Sequence, residues 1–176
     1  MRYQRKPDPG IPHPRPLLLL AVLDFVHAAR EIPGVLRIAL IGSLTSTKPV
    51  PKDADVLVWI GNDIDIPLLA RHGRRLKGAT QTINLGADIF LADENGRYIG
   101  RICSYRECHP RVACLARHCG RHIKDDLQVV KLSRDPIAAP PVELWPRIVR
   151  RTRLPTDVEK ILLAELGNTM DTNGIS

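Results

Sequence analysis

Asp53 and Asp55 are the residues of this sequence best placed to do chemistry. They open an apolar run, Asp53-Ala54-Asp55-Val56-Leu57-Val58-Trp59-Ile60, that has the length of a buried strand. Alternate side chains of a strand share a face. The two carboxylates therefore point one way, about 7 Å apart along the backbone, while Ala54 and Val56 enter the opposite layer. Like charges held so close repel, and a divalent cation between them relieves the repulsion. Simple solvation at a strand mouth is the plainer alternative. Asp63-Ile64-Asp65 repeats the pattern, but Gly61-Asn62 precedes it and Ile66-Pro67 follows. Asp65 there reads as a helix N-cap with proline in the first turn, and that pair receives no catalytic role.

An earlier apolar run, Val35 to Ile41, delivers the chain to Gly42-Ser43, nine residues before Asp53. Glycine permits a sharp turn and close approach of backbone to a ligand, and the serine offers an N–H and a hydroxyl to an anion. Lys48 and Lys52 flank the carboxylates, either reaching toward phosphate oxygens or simply solvated. Pro49 and Pro51 hold the intervening chain extended after one helical turn over Leu44 to Thr47.

Ile41-Gly42-Ser43, nine residues, then Asp53-Ala54-Asp55-Val56 resembles the signature of the DNA polymerase β-like nucleotidyltransferase superfamily, over roughly residues 17 to 92. The resemblance implies an α/β (α+β) fold with a mixed sheet flanked by helices, and a third carboxylate between hydrophobic residues on a later strand, which Ala87-Asp88-Ile89 fits. It further implies that Asp53 and Asp55 hold two magnesium ions, that Asp88 completes the site beside the acceptor, and that Gly42-Ser43 holds the triphosphate of an NTP. Three carboxylates so placed suit two-metal phosphoryl transfer, and hard oxygen ligands suit Mg2+. The expected reaction moves a nucleoside monophosphate from an NTP, ATP among them, to a hydroxyl. Two departures, prolines in the loop and Lys52 just before the first aspartate, bear on the choice of base and acceptor. A small stand-alone protein of this kind is similar to toxin-like or modifying enzymes, so an antitoxin-like partner is among the expectations.

The elements that must position these residues follow from periodicity. Leu18, Ala21, Val22, Phe25, Ala29 and Ile32 keep helical spacing, so one amphipathic helix spans about Arg15 to Glu31 and stops at Pro33-Gly34. The run Leu17 to Leu23 after Arg2, Arg5, Lys6 and Arg15 imitates a secretory leader, but Asp24 interrupts it too early to span a bilayer. A cytoplasmic protein with no membrane partner is expected. Ile66 to Leu76 is a helix with Leu68, Leu69 and Leu76 inward and Arg71, Arg74, Arg75 and Lys77 outward, ending at Gly78. Ala87 to Leu91 is a strand. Asp93-Glu94-Asn95-Gly96 is a turn that makes a hairpin with residues 97 to 102.

The sequence divides into an irregular, proline-rich arm (1–16), a nucleotidyltransferase core (17–100), a Cys/Arg-rich insert with a strand near 127–132 (101–135) and a C-terminal extension (136–176). In the extension Leu144 and Trp145 dock on the body. A short helix runs over Asp157 to Leu166 with Thr156 as N-cap, and a polar frayed end follows. At 176 residues and 44% hydrophobic composition the chain has the length of one soluble domain. Its net charge is +7. Arg101, Arg106, Arg111, Arg117, Arg121 and Lys124 face a single acid, Glu107, within that stretch, and Arg147, Arg150, Arg151 and Arg153 form a second group. Such a surface favours NTPs or RNA, or is merely solvated.

All four cysteines fall in the insert: Cys103, Cys108, Cys114 and Cys119, spaced C-x4-C, x5, C-x4-C, with His109, His118 and His122 interleaved. Tetrahedral zinc would supply folding energy to a segment poor in apolar residues. Free structural thiols and disulfides are the alternatives, the latter disfavoured in a reducing compartment. Three functions compete. The first is a magnesium-dependent nucleotidyltransferase acting on RNA, a protein hydroxyl or a small molecule. The second is an inert relative that binds nucleotide, and the third a zinc-stabilised nucleic-acid-binding module.

Overall fold

Three apolar runs, each interrupted by Gly or Asp at one end, set the centre of the molecule. The computed structural model describes residues 13–103, 121–124, 127–129, 139–149 and 153–172. Those runs become β1 (Val35–Ile41), β2 (Asp53–Ile60) and β3 (Gly86–Ala92). β4 (Tyr98–Ile102), β5 (Arg121–Lys124), β6 (Leu127–Val129) and β7 (Val142–Trp145) extend the sheet. The fold is mixed α/β, an α+β arrangement around one seven-stranded sheet in the order β5-β6-β4-β3-β2-β1-β7. Only β2 and β3 run parallel; the other neighbours are antiparallel. Parallel neighbours need a crossover, and the helix between them supplies it.

That helix, α2, spans Ile66–Gln81, and α1 spans Pro14–Ala29. Asp65 caps α2 by accepting from Leu68 N–H at 3.0 Å, and Pro67 lies in its first turn, as the sequence predicts. Gly78 does not end the helix. It is exposed, with nothing near its missing Cβ, and the roughly 1 kcal/mol cost of a helical glycine is outweighed by the hydrogen bonds that carry the helix to Gln81. The chain then reverses through Asn84 at φ 58°, a conformation asparagine tolerates.

α1 buries Leu18, Leu19, Val22, Leu23, Phe25, Val26 and Ala29, a broader face than a single amphipathic stripe. The reason is its position, in contact with α2, β2 and a π-helical stretch, Val158–Leu163, that leads into α3 (Ala164–Thr172). All these elements share one core with Ile38, Leu40, Val56, Val58, Ile89 and Leu91 on the covered face of the sheet. Each such side chain contributes about 1.5–3 kcal/mol by leaving water. The other face carries a small cluster, Ala39, Trp59 and Ala92, with the Arg37 guanidinium 4.3 Å from the Trp59 ring centre.

The C-terminal region is more regular than its composition predicts. Residues 142–145 form a strand, with Leu144 fully buried, and it pairs with the free edge of β1; Arg37 and Glu143 bridge the pair. The last helix continues through Thr172, past the predicted end at Leu166, and Asp157 caps it through Val158 N–H. The predicted turn over Leu44 to Thr47 is a 3-10 turn two residues earlier, Gly42–Thr45. Helix α1 begins at Pro14, within the stretch expected to be an irregular arm. Among the described residues no helix is long and apolar enough to cross a membrane.

Arg15 ties these parts together. Its guanidinium donates to both carboxylate oxygens of Asp157, at 2.6 and 3.1 Å, and to the carbonyls of Lys48 at 2.8 Å and Leu44 at 3.2 Å. It is 6% exposed, although the sequence places it among basic residues of the N-terminus. The bond from Arg15 is the main reason the Asp157 carboxyl is held below its usual range. A lowered folded-state value gives stability that is present above the ordinary carboxyl value and lost as pH falls through the lowered one. Asp157→Asn is therefore expected to destabilise the protein by on the order of 2 kcal/mol near neutral pH, since it leaves a buried guanidinium half-paired. Urea melts of the two proteins at neutral and acidic pH check this, and the gap should close in acid.

Candidate active site

The parallel ladder between β2 and β3 decides which carboxylates meet. Its register pairs Asp53 with Gly86 and Asp55 with Asp88. Asp55 and Asp88 are thus lateral neighbours, and Asp53 stands two residues along on the same face. Ala54, Val56, Ala87 and Ile89, the alternate residues, are buried in the core beneath. The three aspartates are half-buried at the end of the sheet where both strands begin.

Glycines make room for them. Gly42 has φ 72°, and a Cβ there would collide with the Asp55 Oδ2; a Cβ at Gly86 would collide with Asp53 Oδ1. Gly42 therefore serves the carboxylate face directly, besides turning the chain out of β1. The role of Gly86 escapes sequence reasoning, because it depends on the cross-strand register. Ser43 is half-buried beside Gly42, and its carbonyl accepts from Ser46 Oγ at 2.9 Å. The buried Thr45 hydroxyl closes the turn by donating to the Gly42 carbonyl at 2.7 Å.

Lys48 and Lys52 have exposed side chains, and both contribute through their backbone. The Lys48 carbonyl is held by Arg15, and that of Lys52 accepts from Gly86 N–H at 3.1 Å, which starts the β2–β3 pairing. Asp63 and Asp65 lie away from the three aspartates, at the loop and cap before α2, in keeping with the structural role predicted for them.

Crowding and burial dominate the electrostatics. The Asp55 carboxyl is pushed up to about 7, first by burial, then by Asp53 and Asp88, with Arg101 pulling the other way. Asp88 is also raised, chiefly by burial; Arg101 and Lys77 oppose the shift and Asp53 adds to it. Arg101 Nη1 donates to Asp88 Oδ2 at 3.2 Å. Sequence reasoning counts Arg101 only as part of a basic stretch. The usable signal is its offset in the hairpin, which puts it opposite Phe90 on the face of Asp88.

Lys77 and Arg74 also depart from the predicted outward helix face. They are half-buried and line a shallow depression with Asp88 and Cys103, between α2 and the sheet. Cys103 is a buried free thiol. Cys108, Cys114 and Cys119, the remainder of the expected zinc set, lie outside the described residues, as do His109 and His118.

No group of three or more His, Cys, Asp and Glu side chains among the described residues is arranged to hold a metal ion, and one oxygen of Asp88 is engaged by Arg101. The donor chemistry nevertheless fits a hard divalent cation, because three half-buried carboxylates crowded on one face are short of positive charge. Comparison with protein-family models, with curated proteins and with solved structures returns no match.

The raised value of Asp55 has a consequence for stability. A carboxyl with a folded-state value above its unfolded one binds more protons when folded, so stability falls as pH rises between about 4 and 7. In the presence of a chelator, Asp55→Asn should stabilise the protein at pH 8 by on the order of 2 kcal/mol and by almost nothing at pH 4. Thermal melts at the two pH values read this directly.

Proposed function

We propose that this protein is a metal-dependent nucleotidyltransferase that moves a nucleoside monophosphate from an NTP to a hydroxyl. The observation that carries the reading is the register of β2 with β3, which assembles Asp53, Asp55 and Asp88 on one face beside the Gly42-Ser43 turn. Asp53 and Asp55 would hold Mg2+, with Asp88 completing the ligand set on the side of the acceptor. The Gly42-Ser43 turn receives the triphosphate. In the transfer, the acceptor oxygen bonds to the α-phosphorus, the bond from that phosphorus to its bridging oxygen breaks, and pyrophosphate leaves with the electron pair. The hydroxyl proton passes to the Asp88 carboxylate, whose raised affinity for protons suits it to that task. Bound magnesium supplies charge neutralisation at the phosphates. The chain's own elements supply position: two paired strands and a turn fastened from behind by Arg15.

A second reading, a relative that binds nucleotide without turning it over, draws on the Arg101 contact to Asp88, which engages the carboxylate that the acceptor needs. Incubation with Mg2+ and each NTP in turn separates the two, using label at the α- or γ-phosphate and offering total RNA and a protein extract as acceptors. Transfer of α-label alone, reduced at least about 100-fold by Asp55→Ala, is the expected outcome. Equal labelling by the variant, or no α-label transferred from any NTP while nucleotide still binds, overturns the catalytic reading.

A further inference from the structure

Arg101 stands on β4 opposite Phe90 of β3, two residues beyond Asp88, so its side chain rises from the carboxylate face. The Arg101 and Asp88 side chains are 26% and 27% exposed, which leaves the contact open to an incoming ligand. Arg101 frees Asp88 by swinging away.

We propose that Arg101 is a resident counter-cation that exchanges partners: it holds Asp88 while the carboxylates lack a divalent ion, and turns to the phosphates of the nucleotide once Asp88 is needed. This rests on the nucleotidyl-transfer reading of the site. Three arguments support it. Arg101 engages Asp88 Oδ2, and a divalent ion drawn to the same carboxylate would be repelled by the guanidinium. A guanidinium offers a planar fork of N–H donors that matches two phosphate oxygens, so the released side chain has a better partner in a polyphosphate than in water. The backbone of Arg101 is fixed by its ladder to Phe90, so the exchange is a movement of its long side chain and leaves the sheet in place. Arg101 is thus a ligand-binding residue whose availability depends on metal, and the site loads metal before it grips polyphosphate.

Two probes test this on the full chain: Mn2+ alone, followed by the electron paramagnetic resonance of the free ion, and inorganic tripolyphosphate, followed by calorimetry with and without saturating Mn2+. Arg101→Ala should bind Mn2+ roughly tenfold more tightly than the parent, having lost the competitor, yet bind tripolyphosphate roughly tenfold more weakly in the presence of Mn2+. Arg101→Lys, which keeps a charge but not the fork, should recover part of the tripolyphosphate binding. A thermal melt of each variant verifies folding. If Arg101→Ala binds Mn2+ no more tightly, or tripolyphosphate just as well, the exchange is overturned while the nucleotidyl-transfer reading stands. If the parent itself binds Mn2+ no better than Asp55→Ala, the metal site fails and the exchange fails with it.

Discussion

The parallel pairing of β2 with β3 is the constraint on which the rest depends. Strand side chains alternate, so a slip of one residue would turn Asp88 into the core and bring Ala87 or Ile89 up beside Asp55. The apolar face opposes that slip: Ala54, Val56, Val58, Ile89 and Leu91 are buried under α1 and α2, and a shift of one residue would turn one strand's set out of the core. The hydrophobic effect, acting on one side of the sheet, thereby places negative charge on the other. Parallel pairing also demands a crossover, which explains why α2 runs its full length to Gln81 before the chain can return to Gly86.

The charged face is costly to assemble, and the surroundings limit the cost in different ways. Protonation of Asp55 is one response, since a carboxyl pushed up to about 7 is largely neutral in mild acid. The guanidinium of Arg101 is another, directed at Asp88. Removal of steric obstruction is a third, because Gly42 and Gly86 leave space for carboxylate oxygens where any other residue would press on them. Behind the face, Arg15 fastens the turn that follows Gly42 to both α1 and the last helix, so a segment distant in sequence braces the chain beside the site.

What could be read from the sequence is what depends on local chemistry. The apolar runs of β1 to β3, the Asp65 cap and the Asp93 turn all follow from residue types within a few positions. The Asp93 side chain does accept from Asn95 and Arg97 N–H. The grouping of Asp53 with Asp55 follows from period two. The meeting of Asp55 with Asp88 is not local; it entered through a family resemblance, and the ladder supplies its physical cause. Arg15, Gly86 and Arg101 were illegible as positioning groups because each is defined by a partner on another element. β7 was missed for a similar reason. It is short and lies next to prolines, and it is a strand only because β1 offers an unpaired edge.

The balance of charge on the carboxylate face bears on what such a face is for. Three aspartates meet the Arg101 guanidinium, and Lys77 on α2 also favours the charged form of Asp88. For Asp55, Arg101 is the weakest of four influences, behind burial, Asp53 and Asp88. A protein selected only for stability would be expected to place an apolar residue at position 55, given the Ile41 partner across β1 and the buried surroundings. Instead the fold retains a carboxylate whose charged form it opposes. Such local conflict with burial is characteristic of sites arranged for a ligand that brings the missing charge. The conflict is sharpest at the residue that lies between the other two carboxylates and the Gly42 turn, where a cation and an anionic substrate would meet.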